Sequence, residues 1–275
     1  MPLPIKPSFK ILVVAFALAF TVPLALAAEQ PPHQEQPLYK RFFDDLSRVG
    51  VGFAVLTRPE FIGSDKHQVD VFPMAQGVYN INPKNQIYLR GVELGYAHAL
   101  GEHIQLGFAG TIGENREEDD DPRLAGMGDI DTAFEIGPWA KVRTGNGLSL
   151  KAAVLFDVAG AHDGYVGDLK LAQKLTEGKG PGFEIYAETK FGSGDFMDTY
   201  FSVSAAQALV GRPALNAGSG FYQSAVGMTF NYALPHDLFL RLDGGLQFLH
   251  GDAQKSSVTF DSTQARGMVA LGYTF

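Results

Sequence analysis

The last eleven residues of this chain, Ala265 to Phe275, alternate strictly in character and stop on an aromatic carboxy-terminus. Val269, Leu271, Tyr273 and Phe275 fall on one side; Arg266, Met268, Ala270, Gly272 and Thr274 fall on the other. Side chains alternate sides along a strand, so this segment has a greasy face ending in aromatics and a small or polar face. Such a strand either covers the core of a soluble sheet or faces lipid in a barrel.

The same theme repeats from Val49 onward as alternating segments of about ten residues separated by turns, the period of transmembrane strands. Leu238, Leu240, Leu242, Leu246 and Phe248 share a face opposite Arg241, Asp243 and Gln247. Tyr222, Val226, Met228, Phe230 and Tyr232 oppose Gln223, Thr229 and Asn231, while Phe183, Ile185 and Ala187 oppose Glu184, Tyr186 and Glu188. Alternation alone does not say which face is inside. The apolar faces carry aromatics near both strand ends, as two lipid interfaces require. The strands are also long for a sandwich, and the connections alternate between tight and long.

Met1 to Ala27 reads as a secretory signal peptide: Lys6 and Lys10, the apolar run Ile11 to Phe20, then Pro23 and the small-residue site Ala25-Leu26-Ala27. Cleavage there leaves about 248 residues, one domain. No later stretch approaches the roughly 20 apolar residues of a spanning helix. The chain contains no Cys, so an exported form has to close its own core or barrel without disulfides. Loss of the two lysines takes the formal charge from −8 to −10, which sets aside nucleic acid as a partner. Residues 28–48, rich in Pro, Gln and Glu, read as an extended periplasmic leader.

Connections give the strand count. Asn82 to Asn85, Gly101 to His103, Thr144 to Gly147, Glu177 to Gly180 and Pro235 to Asp237 are short, as at a periplasmic end. Thr57 to Gln68, Glu114 to Gly128, Gly192 to Gly220 and Gly251 to Gln264 are long, as on the outside. With both termini periplasmic the number must be even, so Gln86 to Leu100 is split near Arg90-Gly91. The expectation is an all-β, antiparallel transmembrane β-barrel over 49–275 with about 12 strands, or 10 as the alternative.

Gly63-Ser64-Asp65, the run Asp119-Asp120-Asp121-Pro122-Arg123-Leu124 with Gly126, Gly128 and Asp129, then Met197, Tyr200-Phe201, Val203, Gln207-Ala208 and the closing Gly267 to Phe275 resemble the MipA/OmpV family. The resemblance covers Val49 to Phe275; Phe61 stands where the family usually has Tyr. It implies an outer-membrane barrel, and a best-known relative similar to a scaffold that links a lytic murein transglycosylase to a murein synthase. Other relatives are associated with adhesion, osmotic or antibiotic responses, so a barrel does not fix function. Tyr273 and Phe275 also resemble the terminal signal read by the bacterial barrel-insertion machinery.

Motifs for chemistry are sparse. There is no Gly-x-Ser-x-Gly elbow and no His-Glu-x-x-His spacing, and neither a cofactor nor a metal is called for. The acidic run Glu117 to Asp121 lacks the spaced ligands of a calcium loop and reads as a solvated, self-repelling segment, with weak divalent bridging to lipid headgroups as the alternative. Two function classes remain open: a non-catalytic scaffold of murein turnover and a narrow uptake pore for small solutes or antibiotics. An adhesin or a barrel-embedded lipid hydrolase stands in reserve. The pore reading rests on charges on the expected inner faces: Lys151, Asp168, Lys170, Lys174, Glu184, Glu188, Lys190, Arg241, Asp243 and Arg266. Mixed signs pair as readily as they conduct.

Overall fold

The computed structural model describes residues 46–176 and 181–275. The expected signal peptide, residues 28–45 of the expected leader and the turn Glu177 to Gly180 lie outside the described residues. Among the described residues no helix is long and apolar enough to cross a membrane.

Twelve antiparallel strands close into one barrel, each bonded to its neighbours in sequence, with the first meeting the last. They are β1 (Leu46–Pro59), β2 (His67–Asn82), β3 (Asn85–Arg90), β4 (Glu93–Ala99), β5 (Ile104–Ile112) and β6 (Phe134–Arg143). The second half comprises β7 (Leu148–Asp157), β8 (Tyr165–Lys174), β9 (Gly182–Gly192), β10 (Gly220–Ala233), β11 (Leu238–Leu249) and β12 (Thr263–Thr274). Closure leaves no free sheet edge along the seam, which lipid would penalise. The even count and the split at Gly91 both hold.

The terminal strand supplies that seam. Gly50 to Thr57 of β1 pair with Thr274 to Gly267 of β12, and Phe275 N–H donates to Val49 O at 2.8 Å. Phe53, Val269, Leu271, Tyr273 and Phe275 are exposed on the outer surface, whereas Ala54 and Ala270 on the inner side are fully buried. The apolar face therefore points outward all round the wall, with Val226, Met228, Leu242 and Leu246 continuing the belt. This is the reverse of a soluble sandwich and decides the sense that alternation left open.

Tyr222 departs from its expected outward face. A bulge between Phe221 and Gln223 in the pairing of β9 with β10 turns its ring inward, where it is buried. An extra residue in one strand reverses facing locally, which is how a bulge re-aims a side chain.

The tight turns lie at one end, periplasmic in this fold class; the other end carries segments 60–66, 113–133, 158–164, 193–219 and 250–262. Segment 158–164 is a longer outer connection that alternation did not single out. One outer connection is different: β3 and β4 join through Gly91 and Val92 alone, with Gly91 in the left-handed region at φ +64°.

Candidate functional site

Five outer connections fold together into a lid over the mouth. The acidic run is part of it and is not a self-repelling solvated loop. Glu118 to Asp120 and Pro122 to Leu124 form two 3-10 turns. Asp121, Leu124, Met127 and Ile130 are buried, the first two at the cap and last residue of the second turn and Ile130 in a bridge to Arg116. The carboxylates have separate tasks. Asp120 accepts from Glu117 N–H at 2.8 Å, and Glu118 accepts from Gly126 and Gly128 N–H at 2.8 and 2.9 Å. Asp119 stays exposed.

Asp121 is the centre of a charge network. It accepts from Arg123 Nε at 2.9 Å and from Arg123 N–H at 2.8 Å, and pairs with Lys66 Nζ at 2.7 Å. Arg123 reaches on to Asp65 at 3.1 Å and lies 3.6 Å over the Phe260 ring. The Arg123 guanidinium and the Lys66 ammonium hold the Asp121 carboxyl well below the usual carboxylate range. Arg123 likewise lowers Asp65, and the two N–H donors of Gly126 and Gly128 lower Glu118. Each folded-state pKa is depressed, so this stabilisation is present above the ordinary carboxylate range, about pH 4, and fades as pH falls through the folded values. Limited proteolysis across a pH series should therefore find the lid loops protected at neutral pH and cut increasingly in acid.

Contacts run across the mouth. Segments 60–66, 113–133 and 193–219 start about a third of the circumference apart by strand order. Yet Arg123 bonds Asp65, Arg116 donates to Tyr200 O at 3.0 Å, and Arg212 donates to Arg123 O at 2.9 Å and Ala125 O at 3.0 Å. In segment 193–219 the helix α1 (Gly194–Phe201) is capped by Ser193 and buries Phe196, Met197, Tyr200 and Phe201. Segment 250–262 adds the short helix α2 (Gly251–Lys255); Ser256 Oγ donates to Phe201 O at 2.6 Å. A second apolar cluster joins Phe61, Leu124, Met127, Val203 and Val258. Phe61, the departure from the family's Tyr, meets Phe260 edge-on at 5.8 Å. The lid also holds a surface cleft of about 600 Å³ lined by Arg116, Asp129, Asp198, Ser204 and Gln207. Burial draws the Arg116 guanidinium down to about 10.

Below the lid, the charges expected inside form a ladder on the inner wall. Glu188 lies 3.8 Å from Lys170 and 3.7 Å from Lys190, and Asp168 sits opposite Lys190 in register. Lys151 pairs with Glu93 at 3.4 Å. Asp243 accepts from Thr229 Oγ1 at 2.6 Å and from the Tyr186 hydroxyl at 3.5 Å. Lys174 and Glu184 face each other in register near the tight-turn end. Arg266 shares the inward face of β12 with buried Gln264 and Ala270, and Arg241 that of β11 with Asp243. Glu93 and Arg90 were missed because their short hairpin shows too few alternations.

Large inward rings lie along the wall. Any Cβ at Gly95 would overlap the Tyr88 ring, and any Cβ at Gly227 would overlap Tyr186. The Lys170 ammonium stands 3.8 Å above that Tyr186 ring.

No triad or metal cluster comes together among the described residues. Ser224 Oγ lies 2.7 Å from His250 Nε2, but no carboxylate hydrogen-bonds that imidazole. His162 is buried edge-on to Phe196 and 3.2 Å from Glu135. The described residues contain no group of three metal-binding side chains.

No curated protein matches the chain. Among solved structures it is similar to the translocator domain of the autotransporter NalP from Neisseria meningitidis, at 11% identity and a TM-score of 0.47. That match covers 96% of this chain and 97% of that one. Pseudomonas putida OprB matches at 11% identity over 74% of this chain and 59% of its own, with a TM-score of 0.37. Salmonella typhi OmpF matches at 12% identity over 84% and 97%, with a TM-score of 0.37. The family model described as MltA-interacting protein MipA matches residues 51–275, which takes in the wall from within β1 to the terminal Phe and the whole lid. The chain belongs to the MltA-interacting protein MipA family and is an outer-membrane β-barrel.

Proposed function

We propose that this barrel is a non-catalytic anchor for murein-remodelling enzymes, displayed on its periplasmic side. The observation that carries the reading is the lid: five outer connections packed over the mouth suit a closed wall component better than an open channel. The family description, MltA-interacting, supports a lytic murein transglycosylase as the partner; a murein synthase as the further one rests on the resemblance alone. In this reading residues 1–27 are the cleaved signal and residues 28–45 the periplasmic leader available for docking, the last three residues of the expected leader, 46–48, being the paired start of β1. The test is co-purification of a lytic transglycosylase with the detergent-extracted barrel. Full-length mature chain should retain the enzyme, and removal of residues 28–45 behind an intact signal should weaken retention. An intact barrel that never retains the enzyme overturns the reading.

A narrow uptake pore is the second reading. The Tyr88 and Tyr186 rings pack against glycines of neighbouring strands, and the inner wall carries the Lys170, Glu188 and Lys190 charges that a pore would use.

Tyr273 and Phe275 serve as the assembly signal in both readings. Both rings are exposed on the outer face at the end of the seam strand and meet edge-on at 5.0 Å. Deleting Tyr273 to Phe275 should lower the heat-shifted, assembled form in outer-membrane fractions without reducing exported protein. Undiminished assembly would show that the terminus is not read.

A further inference from the structure

The wall has a low place. β3 and β4 contain six and seven residues, against sixteen in β2 and nine in β5. Six residues at a barrel tilt rise about 15 Å, well short of an apolar band about 25 Å tall. Pairing of β2 with β3 begins at Gln76 and Arg90, so residues 67–75 are laddered to β1 alone. On the other side, pairing of β4 with β5 stops at Leu94 and Gly110, so Thr111 and Ile112 are laddered only to β6.

A window results. Its sill is the Gly91-Val92 turn, tied by Gly91 N–H to Ala75 O at 3.1 Å. Arg58 crosses its top, bonded to Asp70 at 3.0 Å and to Glu114 at 3.4 Å. The space between is a cavity of about 380 Å³ lined by residues from both faces of the wall. Its outer rim is apolar, with Leu94, Ile112, Phe134, Ile136 and Val158 on the lipid side. Phe72, Thr111 and Glu135, on inward-facing positions, form the inner rim.

An open strand edge at membrane depth is tolerated only beside protein or water. The polar side chains of Thr111 and Glu135 on the lumen side can meet that need, while the outer rim presents an apolar surface to the bilayer. Cavities of this size hold small ligands. We propose that the window is a lateral binding site for a hydrocarbon chain of an outer-leaflet lipid, which enters between β2 and β5 and reaches the space beneath the lid. The occupant follows from position: the window's open side faces the hydrocarbon itself, its rim there is aliphatic and aromatic, and the lid covers the alternative entrance from outside. This goes beyond the anchoring role and does not depend on it.

Gly110 provides the sealing variant. Its backbone φ is ordinary, and a Cβ there meets nothing closer than 3.9 Å, so Gly110→Phe places a ring in the outer rim without a backbone clash. The full mature chain is reconstituted in phosphatidylcholine vesicles carrying a phosphatidylcholine with a mid-chain diazirine, then irradiated, and the adducts are mapped by mass spectrometry. The wild type should carry adducts on inward Phe72, Thr111 and Glu135 as well as on belt residues such as Leu242 and Val269. Gly110→Phe should lose the inward adducts and keep those of the belt. If Gly110→Phe does not reach the heat-shifted folded form, Leu94→Phe fills the same rim and takes its place. Adducts at Phe72, Thr111 and Glu135 no stronger than at inward Ala225 and Tyr186 on the opposite wall overturn the proposal. So do inward adducts that persist in the sealed variant.

Discussion

Leu242→Arg should destabilise the assembled barrel by about 2 to 4 kcal/mol if the residue sits near the bilayer midplane, because a charge there loses its hydration. Leu242 is exposed on the outer wall, flanked in register by outward-facing Phe230 and Val269. Its neighbour Asp243 points inward to Thr229 and Tyr186, and Asp243→Asn keeps a carbonyl acceptor for both hydroxyls. Urea titration of the reconstituted barrel should therefore separate two adjacent substitutions widely. Equal effects would contradict the facing. Because the chain has no Cys, single cysteines at 240, 242 and 246 should also react with a lipid-soluble reagent, and those at 241, 243 and 247 should not, reacting with a water-soluble one only where the lumen is wet.

Leu124→Ala should release the lid and spare the wall. Leu124 is fully buried against Phe61, Met127, Val203 and Val258, and truncating such a side chain costs about 2 to 5 kcal/mol through lost burial and the cavity left behind. The cost falls on loops, so heat-shifted migration should be unchanged. Protease cleavage within 113–133 and 193–219 should rise steeply. Loss of the assembled barrel instead would mean that lid and wall fold as one unit.

Much of the wall was legible because one face of every strand must meet lipid, and that requirement writes a period of two into the sequence. Leu238 to Phe248 and Ala265 to Phe275 could be assigned to faces residue by residue. The parity of strands forced the split at Gly91 although neither half alone looks like a full crossing. Tyr222 was misplaced because a bulge leaves no mark in alternation. The lid was invisible for a different reason: its core gathers Phe61, Leu124, Val203 and Val258 from four distant segments, and no local period links them. The acids themselves misled because net charge suggests repulsion, whereas Arg123 of the same run and Lys66 of the connection 60–66 neutralise Asp121.

The packed lid closes the outer mouth, and planar-bilayer recording tests that closure. Purified wild-type barrel should insert without steady conductance at neutral pH, and Leu124→Ala should open ion-conducting events through the charged interior. A wild-type barrel that conducts steadily, with the same amplitude as Leu124→Ala, would contradict the closed lid and turn the reading to a pore.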